Sequence, residues 1–476
     1  MEIKLAKAKS GYEAIVVLFH PEKSAKPAHS SKAEWVHILA EKKKGQDVVV
    51  LQSTDSFRVF VACSTELPDA IEVLRQKGAE ILDLLNKTKK KSVLISNASG
   101  LSKTLFSFTE GLVLASYQFL RYRTNRKEIK GSLEEVSVEE AKLTSAQISE
   151  WNNLLQAVML SRDLINEPLS YLTAVQFSKE MEKAGKKAGF ETTVLHKKQI
   201  ESLKMGGLLG VNKGSIDPPT FTIMEYKPKQ RKNKKPIILV GKGVVFDTGG
   251  LSLKPTPASM DEMKCDMSGA AAVVGAMYAI AANELPVHVI ALVPATDNRP
   301  GMNAIVPQDV LTISDGTTVE VMNTDAEGRL ILADALVYAR KYKPELVVDL
   351  ATLTGAAVRA VGSYASAVMG TADQKTMDRL ADSGMQVWER MVQFPLWKDY
   401  GEELKSDVAD LKNLGAGNGG QISAGKFLEH FTDYPWIHID IAGPAWSNTA
   451  QGYRTRGGTG VGVRLLYDFI KNHYAR

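Results

Sequence analysis

The sequence predicts an α/β protein of two domains: a smaller N-terminal α/β domain and a larger C-terminal domain with a mixed, largely parallel sheet flanked by helices. Three observations lead there. The 476 residues are too many for one ordinary hydrophobic core, given roughly 150 residues per domain. Short runs rich in β-branched residues alternate along the chain with stretches whose apolar residues recur every three or four positions. The alternation is interrupted once, between positions 121 and 143, where the sequence becomes strongly charged and loses its period.

In the N-terminal part, Ala14–Phe19, Asp47–Leu51, Arg58–Ala62 and Ser92–Ser96 read as strands, with helices over Asp69–Leu85 and Leu105–Tyr122. The charged segment is the linker expected after them. A further helical pattern runs from Thr144 to Leu164 and must stop before Pro168, because proline cannot continue a helix. The boundaries that follow are an N-terminal domain over 1–143, a linking helix over 144–168 and a third segment over 169–476. In that last segment strands are expected at Ile237–Val240, Val287–Val293, Val319–Met322, Leu346–Leu350 and Trp436–Ile441. Helices are expected at Gly269–Ala282, Glu327–Lys341 and Met377–Val392. Strand–helix alternation implies right-handed crossovers, and ligands of such sheets bind beyond the carboxyl ends of the strands.

Composition narrows the function classes. A chain that is 44% hydrophobic and 24% charged is neither disordered nor fibrous. Its formal charge of +5 permits a basic patch without demanding a nucleic-acid partner. The run Lys227–Lys235 reads as a solvated loop. Two cysteines, Cys63 and Cys265, cannot build a disulfide framework, and no signal-peptide pattern opens the chain. The longest uncharged stretch, Met267–Asn283, falls short of the roughly 20 residues that a bilayer requires. A cytoplasmic protein with no membrane partner is expected.

Three segments place carboxylates where strands should give way to helices. They are Gly241–Pro255, carrying Asp247; Met260–Gly269, carrying Asp266; and Asn323–Leu330, carrying Asp325 and Glu327. Carboxylates converging on one sheet edge repel one another unless a cation lies between them. Carboxylates without histidines suit manganese, magnesium or zinc, and a surplus of ligands suggests two ions sharing one bridging group, as in hydrolytic two-metal sites. The same residues could instead cap helices and line solvated turns. Pattern alone leaves both readings open.

The octapeptide Asn323-Thr-Asp-Ala-Glu-Gly-Arg-Leu330 resembles the signature of the cytosolic leucyl aminopeptidase family of metallopeptidases. So, in order and spacing, do Val240–Gly250, Lys254-Pro255, Met260–Met267, Asp349–Gly355 and Arg162–Pro168, with a weaker match at Glu110–Phe119. By that resemblance the larger domain is catalytic, and the chain is a metallo-exopeptidase releasing N-terminal, preferentially leucine-like residues by attack of a metal-bridging water. The resemblance implies Lys242, Asp247, Asp266 and Glu327 around a tightly bound metal. It places Asp247, Asp325 and Glu327 around a more exchangeable one. It implies Lys254 and Arg329 as the two catalytic cations, with bicarbonate on Arg329 as general base. Met263, Thr352, Gly355 and Ala442 would line the pocket for the first side chain, and Asn323 and Leu353 would contact the substrate backbone. It further implies two divalent ions per chain (manganese or zinc, with magnesium as a third candidate), peptide substrates and a homohexamer built as a dimer of trimers. An accessory DNA-binding role on the same fold is the alternative. The glycine loop Gly415–Gly420 departs from the family pattern in its middle.

Overall fold

The computed structural model describes residues 1–6, 11–53 and 56–475. The chain forms two compact units, one of Met1–Gln156 with Asn448–Arg456, the other of Ala157–Ser447 with Gly457–Arg476. The division falls inside the long helix Ser145–Asn166, and a short late segment returns to the first unit.

The first unit has, among the described residues, a six-stranded sheet of β1 (Ile3–Leu5), β2 (Ala14–Phe19), β3 (Val48–Gln52), β4 (Phe57–Ala62), β5 (Ser92–Asn97) and β6 (Glu135–Glu139), in the order β1-β6-β5-β2-β4-β3. Only β3 runs antiparallel to its neighbour. The central strands β2 and β5 are buried apolar runs, as expected for a sheet covered on both faces. Two expectations are corrected here. Strand β6 lies within the charged stretch read as a linker; its Val136 and Val138 are buried, and alternation over five residues is too short to stand out among charges. The helix expected to reach Tyr122 ends at Ala115, just where buried apolar positions cease.

In the second unit the described residues form a nine-stranded sheet. Its strands are β7 (Glu191–His196), β8 (Thr220–Tyr226), β9 (Ile237–Gly241), β10 (Gly243–Asp247), β11 (Val289–Asn298), β14 (Leu346–Ala351), β15 (Ser366–Gly370), β16 (Met391–Gln393) and β18 (Trp436–Asp440). A small separate sheet joins β12 (Val310–Thr312), β13 (Thr318–Glu320) and β17 (Leu411–Lys412). The large sheet runs β16-β15-β18-β14-β9-β11-β8-β7, with β10 on β11. It is parallel across β18, β14, β9 and β11 and antiparallel toward β8, β7 and β15. The mixed, largely parallel sheet flanked by helices is therefore what the chain forms. Pattern reading placed β9, β14 and β18 to within a residue at each end. It ended the helix Gln374–Val387 too late, folding Val392 of β16 into it.

The helix Ser268–Ala282 carries the reason its sequence is so apolar. Together with the preceding 3₁₀ turn it is long and apolar enough to cross a membrane, but 94% of its most apolar 18 residues are buried within the protein. Its alanines allow close packing on the sheet: Ala270, Ala271, Ala272 and Ala276 have no exposed surface. On the other face Leu330, Ile331, Leu332 and Leu336 of the helix Gly328–Ala339 join Ile238, Val240 and Ile290 of the strands in one core cluster. The two helices therefore start beside neighbouring strand ends.

Candidate metal centre

Strand β11 explains how the centre is laid out. Its first half pairs with β9 and its second with β10, so the chain breaks step between these strands at Lys242. The backbone there remains tied on both sides, Lys242 N–H donating to Leu350 O at 3.0 Å and Ala270 N–H to Lys242 O at 3.1 Å. The break turns the lysine inward, and burial is nearly complete. Its Nζ donates to Asp266 Oδ1 and to Thr352 O, both at 2.8 Å, and lies 3.0 Å from Glu327 Oε1. Asp266 precedes the helix Ser268–Ala282, and Glu327 is the residue before the helix Gly328–Ala339. Both helices point their amide ends at the cluster, where negative charge is favoured.

Asp247 ends β10 and meets Asp325 and Glu327, with one ligand oxygen from each lying within 4.8 Å of the others. Lys254 lies against the pair, 2.9 Å from Asp247 Oδ2 and in direct contact with Asp325 Oδ1. The five expected metal ligands and Lys254 are thus brought together. Arg329, the second residue of its helix, is buried alongside and donates from its terminal nitrogen to Asn413 O at 2.8 Å. Of the remaining expected residues, Thr352 donates to Asp266 Oδ1 at 2.9 Å. Leu353 and Gly355 follow β14, and Ala442 follows β18. Asn323 accepts from Asp325 N–H at 2.8 Å, and Met263 lies in the 3₁₀ turn leading to Asp266.

Four carboxylates face two ammonium groups here. Glu327 is 1% exposed, and only the Lys242 ammonium, 3.0 Å from Oε1, offsets its charge; its Oε2 and the buried Asp266 Oδ2 have no hydrogen-bond donor. A buried ionised carboxylate without partners costs several kcal/mol, so these oxygens fit a cation. The titration directions agree. Burial, and then Asp247, push the Glu327 carboxyl up; burial also raises Asp266, and it takes Asp325 to about 7 with help from Asp247 and Glu327. For Lys242, burial by itself lowers the ammonium's pKa, but Asp266, Glu327 and Asp247 outweigh it and hold it above the usual range. Lys254 is held up in the same way, against its own desolvation, by Asp247, Asp325 and Glu327. Arg329 is brought down by burial to about 10 and stays charged near neutrality, with its Nε lacking a partner.

Sequence reading missed the groups that hold this cluster in shape. Asn298 donates to Asp247 Oδ1 at 2.8 Å and to Thr324 O at 3.0 Å. Asn413 accepts from Met322 N–H and donates to Asn323 O, both at 2.8 Å. Thr324 donates to Gly249 O at 2.7 Å and accepts from Ser252 N–H at 2.8 Å. Only Thr324 carried a signal, through its place in the octapeptide.

A polar sheet-edge centre of carboxylates and lysines, largely buried and short of compensating charge, defines the class as metal-dependent hydrolases. The comparisons narrow it. The model described as the cytosol aminopeptidase family, catalytic domain, matches residues 159–467. A "probable cytosol aminopeptidase" of a Geobacter species is 43% identical over 407 residues, covering 84% of this chain and 82% of its own. One of Chlorobium limicola is 46% identical over 395 residues, covering 80% and 78%. Among solved structures, the bottromycin maturation enzyme BotP in complex with Mn matches with a TM-score of 0.85 at 30% identity, covering 97% of this chain and 99% of that one. A mutant tomato leucine aminopeptidase matches with a TM-score of 0.85 at 27% identity, over 99% and 97%. The chain belongs to the cytosol aminopeptidase family and is a metal-dependent aminopeptidase.

Gly328 offers a probe of the centre. A Cβ at this position would lie 2.5 Å from Lys242 Cε and 2.7 Å from its Nζ, and that side chain is pinned by its partners. Gly328→Ala is expected to displace the ammonium at the cost typical of overpacking, about 1–3 kcal/mol, and so weaken manganese binding about fivefold or more at about 1.4 kcal/mol per decade. Calorimetric titration of manganese into the metal-free variant, with circular dichroism to confirm the fold, measures it. Wild-type affinity would show that Lys242 lies outside the metal centre.

Proposed function

We propose that this protein releases N-terminal amino acids, preferentially leucine-like ones, from peptides, using two divalent ions held by Lys242, Asp247, Asp266, Asp325 and Glu327. The observation that carries the proposal is the Glu327 carboxylate, buried against Asp247 and Asp325 with one oxygen lacking any donor and the other facing only the Lys242 ammonium. Carboxylate oxygens with one amine suit manganese or zinc, with magnesium as the third candidate, and the manganese complex of BotP favours manganese. Such ions, when bound, acidify a bridging water and polarise the scissile carbonyl.

The chain's own residues supply the rest. Lys242 would hold an ion as a neutral amine, its proton, which the neighbouring carboxylates stabilise, passing to solvent when the ion takes its place. Lys254, held protonated at the mouth of the cluster, donates to the oxyanion that develops on the substrate carbonyl. Asp266 Oδ2 accepts from the free amino group of the substrate, which confines cleavage to the first peptide bond. The unpartnered Nε of Arg329 fits a planar anion, and bicarbonate held there would serve as general base. Met263, Thr352, Gly355 and Ala442 line the side-chain pocket, and Asn323 and Leu353 hold the substrate backbone. The buried carboxylates favour this reading over an accessory DNA-binding role, which draws on no feature of the site. Relatives named cytosol aminopeptidases support a cytoplasmic location.

Asp247→Ala and Glu327→Ala are expected to abolish leucine p-nitroanilide hydrolysis and to lower bound metal, read by elemental analysis. Full activity with unchanged stoichiometry in either variant would overturn the two-metal assignment. Lys254→Ala should keep its metals but lose about 10²–10³ in turnover, the usual loss for one oxyanion donor. Loss of metal in that variant would make Lys254 a ligand. For the assembly we propose a homohexamer, a dimer of trimers, since a closed symmetric particle can enclose exopeptidase sites away from folded proteins. Six chains of 52.0 kDa give 312 kDa, and light scattering on the active protein that found a 52.0 kDa monomer would refute it.

A further inference from the structure

We propose that Asp440 is the positioning residue of the substrate pocket: its single buried carboxylate clamps the turn after β14 to the turn after β18 and thereby sets which N-terminal side chain fits. This rests on the pocket assignment above. Strands β14 and β18 pair in parallel as far as Ala351 and Asp440, and the last rung of the ladder is Ile441 N–H donating to Ala351 O at 2.8 Å. Beyond that rung the Asp440 carboxylate takes over. Oδ1 accepts from Leu353 N–H and from Ala442 N–H, both at 3.1 Å, and Oδ2 accepts from Thr354 Oγ1 at 2.7 Å. Thr354 Oγ1 in turn accepts from Ala357 N–H at 3.0 Å, capping the helix that opens at Gly355. One side chain, 1% exposed, thus holds Leu353, Gly355 and Ala442 in register, although almost ninety residues separate the two turns in the sequence.

The support beneath is buried and hydrogen-bonded. Two residues back on the same face of β18, His438 Nδ1 meets Asp349 Oδ1 at 2.5 Å, and Asp349 Oδ2 accepts from Trp436 Nε1 at 2.6 Å. All three side chains are buried. A carboxylate suits the task because it accepts every donor aimed at it and makes stronger hydrogen bonds than a neutral group. Asparagine has the same shape, but its amide would set N–H groups against the donors on one side.

The test compares Asp440→Asn with the wild type, both manganese-loaded, on leucine, methionine, phenylalanine and alanine p-nitroanilides. Ratios of kcat/KM between substrates cancel any loss of active protein, so a merely structural defect leaves them unchanged. The expected result is a shift of about tenfold in the leucine-to-alanine ratio, the scale on which an apolar pocket discriminates a methylene, with KM moving more than kcat. Thr354→Val should reproduce the shift and Thr354→Ser should keep the wild-type profile, which preserves the test if Asp440→Asn fails to fold. A profile within twofold of wild type in Asp440→Asn, or equal shifts in the two Thr354 variants, would overturn the inference. A wild-type protein inactive on all four substrates would instead overturn the aminopeptidase reading.

Discussion

Negative charge buried in excess of its protein partners governs the second unit. Asp247, Asp266 and Glu327 have been drawn out of water onto one edge of the sheet, the half-buried Asp325 beside them, and two lysines answer them. In a medium less polarisable than water the repulsion among such groups amounts to several kcal/mol. Burial and mutual repulsion raise the titration of Asp266, Asp325 and Glu327, and the same field holds both lysines protonated. The carboxylates are kept in place against their mutual repulsion by the rest of the unit.

Most of that support is backbone and neutral amides. The step between β9 and β10 aims Lys242 inward, and the two flanking helices start where the carboxylates need donors. Asn298 and Asn413 fix the loops from behind, each joining segments far apart in the sequence. Asp440 does the same for the two turns that follow β14 and β18. Neutral amides and hydroxyls around a charged cluster orient it without adding charge, which keeps the cluster attractive to cations. Close packing completes the restraint, as at Gly328, where the lysine side chain fills the space a Cβ would need.

The first unit carries its own buried polar core. Arg75 donates to Glu110 Oε2 at 2.6 Å, and Tyr453, from the returning segment Asn448–Arg456, donates to Glu72 Oε2 at 3.1 Å. This is where the weaker family-like stretch Glu110–Phe119 lies, and Glu110 there serves as a buried ion-pair partner of Arg75. The pairing accounts for a charged residue in an otherwise apolar helix without assigning it to the chemistry.

How much could be read from the sequence follows from the range of the forces involved. Strand and helix identity in the central sheet was legible because β9, β14 and β18 are continuous apolar runs whose burial is a local property of composition. The grouping of Asp247, Asp266, Asp325 and Glu327 was legible because Asp247 closes a strand and the other three stand just ahead of helices, and the octapeptide fixed two of them at once. Strand β6 was not, because its five residues alternate among charges and gain their partners only from β1 and β5. Nor was the return of Asn448–Arg456 to the first unit, or the role of Asn298, Asn413 and Asp440. An asparagine or aspartate beside a strand end has no local signature, since its value lies in donors and acceptors contributed from elsewhere in the chain. The sequence alone determined which residues carry charge and where the chain must turn. Tertiary structure alone decided which of those charges lose their water together, because desolvation depends on neighbours brought from far along the chain.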